Sequence, residues 1–396
     1  MNNQECTQEG QKYVMNTYGR LPLAIVRGKG ATVWDADGKE YLDFVSGIAV
    51  NNLGHCHPQV VKAVQDQAEN LFHCSNLYWI EPQIKLAKML VQNSCFDKVF
   101  FCNSGGEANE GAIKLARKYA KKHWGADKYE IITMKQSFHG RTLATLTATG
   151  QEKFHHGYEP LPAGFTYAPF NDLEALKNTI GPHTCAVLLE PVQGEGGVVP
   201  GQDDFIKGVR KLCNENNLLF IVDEVQCGLG RTGKLFAYQH YDIEPDIMTL
   251  AKALGGGAPI GALLAKEEVA QAFQPGDHAA TFGGNPLVTA AGVAALTVIL
   301  EEDLAQNAQM IGEYFVIKLE ALRKKYDFIK EVRGKGLMIG VECDREVAGI
   351  IGECLSKGLL ILSAGPKVLR FLPPLNITFH QVDQAMEILE SALPMK

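Results

Sequence analysis

No stretch of the 396-residue chain stays apolar for the roughly 18 residues that a membrane-spanning helix needs, so no such span is expected. The opening residues, Met1-Asn2-Asn3-Gln4-Glu5-Cys6, hold no basic segment followed by an apolar stretch, and no secretory signal is expected. Basic residues are in deficit: 38 Lys and Arg stand against 45 Asp and Glu, a formal net charge of −7. That balance disfavours nucleic acid or an anionic membrane as a partner of the whole surface. Ten cysteines are present, but none forms a C-x-x-C pair, which points to reduced thiols in a cytoplasmic protein. Metal is not expected either. His55-Cys56-His57 and His73-Cys74 are chain neighbours that rarely converge on one ion, and no second ligand pair follows at zinc-site spacing. There is no internal repeat and no low-complexity linker.

What is present is ordinary for a globular protein, 46% apolar and 21% charged, in a chain long enough for two domains. Residues 1–20 read as a polar helix or arm. Ala24–Arg27 and Ala31–Trp34 flank Gly28-Lys29-Gly30 and suggest short antiparallel strands. Residues 58–72 carry apolar positions at helical spacing. Beyond about residue 83, short apolar runs alternate with helical stretches. The runs are Val99–Cys102, Ile131–Met134, Ala186–Leu189, Leu218–Val222, Ile247–Leu250 and Ile260–Ala265; the helices include 107–123, 203–216 and 286–300. Such alternation predicts an α/β fold, a mainly parallel sheet with helices on its faces. Residues 51–304 form the expected large domain, and 1–50 with 305–396 an expected smaller α+β domain made from both chain ends.

Four constellations fall after these runs. Asn103-Ser104-Gly105-Gly106-Glu107 has the spacing of a capping box opening a helix, where backbone N–H groups and the helix dipole favour a phosphate. A capped helix alone would also explain it. Phe138-His139-Gly140-Arg141 offers an aromatic face and a guanidinium, or a plain surface arginine after a turn. Glu190 to Gly197 carries two carboxylates, either in a pocket or in a solvated loop. Last come Asp223, where five apolar residues run into an acidic pair, and Lys252, which precedes Gly255-Gly256-Gly257. Alone, Asp223 reads as a helix cap and Lys252 as a solvated charge. Together, a carboxylate and an amine at the ends of two strands of one sheet suit a pyridine-aldehyde cofactor, the acid for the ring nitrogen and the amine for a Schiff base.

Over nearly its whole length the chain resembles the class III pyridoxal-phosphate-dependent aminotransferases. The resemblance is carried by Leu42–Val50, Leu53–Pro58, Asn103–Glu110, Phe138–Arg141, Glu190–Gly197, Asp223–Gly228, Gly230–Gly233, Ala251–Gly257, Thr281–Pro286 and Val332–Leu337. It implies fold type I with a seven-stranded sheet, pyridoxal 5'-phosphate as cofactor and a homodimer with shared sites. It implies Lys252 as the residue bonded to the cofactor, Asp223 on the ring nitrogen and Gln226 on the ring hydroxyl. Phe138 and Val225 would cover the two ring faces, and Ser104, Gly105 and Gly106 would hold the phosphate, joined by Thr281 of the neighbouring subunit. Gly106 stands where the family usually has threonine, so no hydroxyl is offered there. Arg141 would take a remote substrate carboxylate, Arg370 the carboxylate beside the reacting carbon, and Glu195 would pair with Arg370 when that carboxylate is absent. The Gly-Ile-Ala-Val and Leu-Gly-His-Cys-His-Pro blocks favour the branch that uses N2-acetylornithine and 2-oxoglutarate. Branches acting on ornithine, succinyldiaminopimelate, succinylornithine or 4-aminobutyrate are the alternatives. From a different class, a non-catalytic protein binding a phosphate ligand remains open, although Gly255-Gly256-Gly257 does not form a dinucleotide fingerprint.

Overall fold

Strand β1 (Ile25–Lys29) pairs antiparallel with β2 (Thr32–Asp35), and β2 with β3 (Glu40–Asp43), in a computed structural model that describes residues 1–394. The N-terminal helix Asn3–Tyr13 precedes them, closed at its start by a capping box between Asn2 and Glu5. The apolar runs then become strands β4 (Lys98–Cys102), β5 (Glu130–Met134) and β7 (Thr184–Leu189), with a further strand, β6 (Phe165–Ala168), between β5 and β7 in the chain. A two-stranded ribbon follows, β8 (Val192–Gln193) with β9 (Val199–Pro200). After it come β10 (Leu219–Asp223), β11 (Ile247–Leu250) and β12 (Gly261–Ala265). The seven longer strands form one sheet in the order β4-β12-β11-β10-β7-β5-β6. All pairings in it are parallel except those of β12, which runs antiparallel to both neighbours.

Every residue of β7, β10, β11 and β12 is buried. Helices Gly105–His123 and Asp203–Asn216 pack on this sheet through apolar stripes that include Ala112, Leu115 and Ala116, and Phe205, Val209 and Cys213. A sheet covered on both faces needs continuous rather than alternating apolar runs. Strand β6 was not expected from the sequence. It lies at the sheet edge and only Ala168 is buried, so it lacks the apolar run that marks its neighbours.

Toward the C-terminus, β13 (Ile329–Lys335), β14 (Met338–Cys343), β16 (Leu362–Ser363) and β17 (Val368–Phe371) form a four-stranded antiparallel sheet in the order β13-β14-β17-β16. The short β15 (Leu359–Leu360) instead pairs with β3, so one sheet draws on both chain ends. No helix among the described residues is long and apolar enough to cross a membrane.

The ends of β4, β7, β10 and β11 open on one side of the large sheet. In open α/β sheets, ligands sit outside the carboxyl ends of the strands, and the polar residues that follow these strands meet there.

Candidate functional site

A cavity of about 340 Å³ opens at those strand ends. Its wall takes Asn103 to Gly106 after β4, Phe138 and His139 after β5, Glu190 after β7, Asp223 with Val225 and Gln226 at β10, and Lys252 after β11. Residues scattered over 150 positions converge because their strands belong to one sheet and end on the same side of it.

The Asp223 carboxylate is buried and fixed from three sides. Its Oδ2 accepts from Asn109 Nδ2 at 2.7 Å and lies 2.8 Å from His139 Nδ1; its Oδ1 accepts from the Val225 amide at 3.0 Å. Asn109 is held in turn, donating also to His139 O and accepting from Thr249 Oγ1, each at 2.8 Å. Asn109 and His139 escaped the sequence reading as site residues. A signal existed for Asn109: it is a polar residue on the buried stripe Ala108, Ala112, Ala116 of its helix. Glu224, next to Asp223 in the acidic pair, points elsewhere. It accepts from the Ala237 and Tyr238 amides at 2.6 and 2.7 Å, and burial pushes its carboxyl up to about 8. Successive side chains of an extended segment face opposite ways.

Lys252 makes no hydrogen bond or ion pair among the described residues. Desolvation brings its amine down from the ordinary lysine range to about 8, against the pull of Glu195 and with the push of Arg370. Its backbone sits at φ 45°, a left-handed conformation uncommon outside glycine and often found where function overrides local preference. Glu190 lines the same wall. Its Oε2 accepts from the Phe138 amide and its Oε1 from the Gly194 amide, at 2.9 and 3.1 Å, and burial raises it to about 7, opposed by His139.

Gly105 and Gly106 open the helix Gly105–His123 at its positive end. Ser104 Oγ accepts from the Glu107 amide at 3.2 Å, as its spacing predicted. The return half of the box differs: Glu107 Oε2 reaches past Ser104 to the Asn103 amide and side chain, at 2.9 and 2.8 Å. A Cβ on Gly105 would stand 2.8 Å from Val225 Cγ1, so only glycine fits there. At Gly106 nothing lies closer than 3.9 Å, and the threonine usual in the family would have room.

Gln226 is engaged by two side chains. Its Nε2 donates to Glu195 Oε1 at 3.3 Å and its Oε1 accepts from Arg370 at 3.2 Å. Arg370, buried on β17, pairs with Glu195 at 2.5 Å. Burial acts to raise the Glu195 carboxyl, and the Arg370 guanidinium more than offsets it, holding the group below its ordinary value. Arg141 is exposed, its guanidinium 4.0 Å from the Phe154 ring and 5.2 Å from that of Phe138. Thr281 is also exposed and lies outside the cavity wall of its own chain. Val50 reaches the wall from the other side, after a left-handed turn over Ser46–Ala49 (φ 51–65°). Asp43 anchors that turn, accepting from the Val45 and Ser46 amides while pairing with His55 at 2.7 Å.

The donor set fits pyridoxal phosphate. Unpaired helix N-terminal amides with a space beside Gly106 suit a phosphate, a fixed buried carboxylate suits a protonated ring nitrogen, and an unpaired amine of lowered pKa suits an aldehyde. No cluster of three or more metal-binding side chains occurs among the described residues.

Comparison with known proteins agrees. A family profile described as "Aminotransferase class-III" matches residues 13–393. The chain is 58% identical to the acetylornithine aminotransferase of Caldanaerobacter subterraneus subsp. tengcongensis, over 97% of this chain and 98% of that protein. It is 48% identical to the succinylornithine transaminase of Photorhabdus laumondii, over 97% and 96%. A solved structure of the ornithine aminotransferase from Toxoplasma gondii, whose description places pyridoxal phosphate at its active site, superposes with a TM-score of 0.95 at 34% identity, covering 99% of this chain and 94% of that one. A full-length match of this kind, on a pocket with this chemistry, makes the chain a member of the class-III aminotransferases, enzymes that work with pyridoxal 5'-phosphate.

Proposed function

We propose that this chain transfers the terminal amino group of N2-acetylornithine to 2-oxoglutarate, giving N-acetylglutamate 5-semialdehyde and glutamate, a cytoplasmic step of arginine biosynthesis. The amino transfer rests above all on one observation: the Lys252 amine and the Asp223 carboxylate line the same cavity. The choice of donor rests on the named relatives.

Pyridoxal phosphate, when bound, supplies an aldehyde for the amino group and a ring that accepts the electron pair left on the reacting carbon. Lys252 Nζ would hold the cofactor through its aldehyde, and the same amine is placed to move a proton at the reacting carbon of the donor. In the cofactor-free pocket burial already holds this amine at about 8, nearer neutrality than an ordinary lysine, as proton transfer at neutral pH favours. Asp223, held by Asn109, His139 and the Val225 amide, would keep the ring nitrogen protonated. Phe138, Val225 and Gln226 line the cavity, where the first two would pack against the ring and the third would donate to its hydroxyl. Ser104 and the amides of Gly105 and Gly106, at the start of the helix, would bind the phosphate.

The two substrates place their carboxylates differently. Arg141 binds the remote carboxylate of either. Arg370 binds the one beside the reacting carbon of the oxo acid. While the terminal amine reacts, Glu195 occupies Arg370, so that a free guanidinium does not attract the wrong end of the donor. The Glu195–Arg370 pair at 2.5 Å is the arrangement this reading requires at rest.

The site is shared in a homodimer, Thr281 of one protomer reaching the phosphate held by the other. In support, Leu77, Tyr78, Trp79 and Phe282 are all exposed, 60% or more, on segments that Asn76 ties together through Ala280 O and Gly283 O. Apolar patches of this kind mark interfaces.

The test is a steady-state comparison of N2-acetylornithine, ornithine, succinylornithine, succinyldiaminopimelate and 4-aminobutyrate as donors to 2-oxoglutarate. The highest kcat/KM is expected with N2-acetylornithine; a higher value with unacylated ornithine or 4-aminobutyrate would refute the assignment.

A further inference from the structure

Two arginine motifs of the sequence, Gly230–Gly233 and Val332–Leu337, have been given no role in the chemistry above. The second has a place in it. In the C-terminal sheet Arg333 of β13 is paired with Gly340 of β14, and Gly340 with Arg370 of β17. Residues directly opposed across neighbouring strands project from the same face. The register therefore sets two arginines in one row with a glycine between them.

The loop that carries Glu195 lies along this row. Arg333 Nη2 and Nε donate to Gly197 O at 2.8 and 3.0 Å, and Nε also to Val198 O at 3.2 Å. The same guanidinium is anchored behind by Glu331 at 2.6 Å and by Glu342. Gly340 leaves the space the loop fills: a Cβ there would stand 2.9 Å from Val198 Cβ and 3.3 Å from Gly197 O. At the near end of the loop, the Gly194 amide donates to Glu190. Glu195 is thus presented from a segment fixed on both flanks, and its side chain meets Arg370.

We infer that Arg333 is a positioning residue: it seats the Glu195–Val198 loop against the C-terminal sheet so that Glu195 covers Arg370, and thereby sets the preference between the two half-reactions. The inference rests on the proposed pairing of Glu195 with Arg370. Arg333 itself is not part of the wall of the cavity that holds Asp223 and Lys252. With the loop seated, freeing Arg370 for an oxo acid needs only a rotation of the Glu195 side chain. With the loop released, Glu195 withdraws together with its backbone and Arg370 stays open.

The readout is the ratio of kcat/KM for 2-oxoglutarate to kcat/KM for N2-acetylornithine, in the wild type and in Glu195→Gln, Arg333→Met and the double variant. Glu195→Gln is expected to raise the ratio. Arg333→Met is expected to raise it in the same direction, by about fivefold, and to add nothing in the Glu195→Gln background, the signature of two residues acting as one unit. Arg333→Lys, which keeps the charge and loses the fork, is expected to fall between the wild type and Arg333→Met. Should Arg333→Met fail to fold, Gly340→Ala displaces the same loop by steric contact and is expected to shift the ratio likewise. If Arg333→Met lowers both half-reactions equally, or if its effect adds fully to that of Glu195→Gln, the positioning role is refuted while the Glu195–Arg370 pairing stands. If Glu195→Gln leaves the ratio unchanged, the pairing itself fails and the role of Arg333 with it.

Discussion

The proposed cofactor half of the pocket and the proposed substrate half are built in opposite ways. Asp223 ends β10 and Lys252 follows β11, two parallel neighbours in register through Asp223 and Thr249. The local sequence places each, and the sheet does the rest. Glu195 and Arg370 are 175 residues apart and come from a loop and from a different sheet. Their meeting depends on how the C-terminal sheet seats against the loops of the large one. The first half is suited to chemistry common to many substrates. The second half is where a small displacement alters preference without stopping the reaction.

Changes in the cofactor half should therefore be severe for every substrate. Lys252→Ala is expected to lower kcat by at least about 10⁴-fold with any donor, because the proton-moving amine is gone; stopped assays beside circular dichroism would separate this from unfolding. Asp223→Ala is expected to cost about 10³-fold, again whatever the donor, through loss of the charge proposed to stabilise the ring. A donor-dependent loss in either variant would break the contrast between the halves.

The sequence exposed these two halves unequally, for a physical reason. Strands β7, β10, β11 and β12 are buried throughout and so appear as unbroken apolar runs. The polar residue ending each run is then conspicuous. The edge strand Phe165–Ala168, with one buried residue, is not. The acidic pair Asp223-Glu224 read as one feature, whereas alternation along the chain sends Glu224 to the amides of Ala237 and Tyr238. The supports of Asp223 were harder to find. Asn109 lies 114 residues away, and nothing local marks His139 as its companion. Arg333 is hardest of all, since the positioning role inferred for it depends on a register shared with Gly340 and Arg370 that only the folded sheet displays.

Smaller effects sharpen the comparison. With the Lys252 amine at about 8 before cofactor is bound, uptake of pyridoxal phosphate by the apoprotein should accelerate as pH rises toward 8 and level off above it. The neutral amine is the nucleophile, and its fraction falls about tenfold for each pH unit below that value. Cofactor absorbance in stopped-flow mixing would follow this; a midpoint near the ordinary lysine range would contradict the desolvated site. Smallest is Gly106→Thr. The open space there should accept a hydroxyl and tighten cofactor binding by about fivefold, the worth of one added hydrogen bond. Equilibrium dialysis would measure it, and weaker binding would mean that the phosphate lies elsewhere.

The most direct test of the central claim is chemical. Protein loaded with pyridoxal phosphate, reduced with borohydride, digested and examined by mass spectrometry should carry the pyridoxyl phosphate mass on Lys252 and on no other of its lysines. The same mass on a different lysine, or on none, would contradict the account of this pocket.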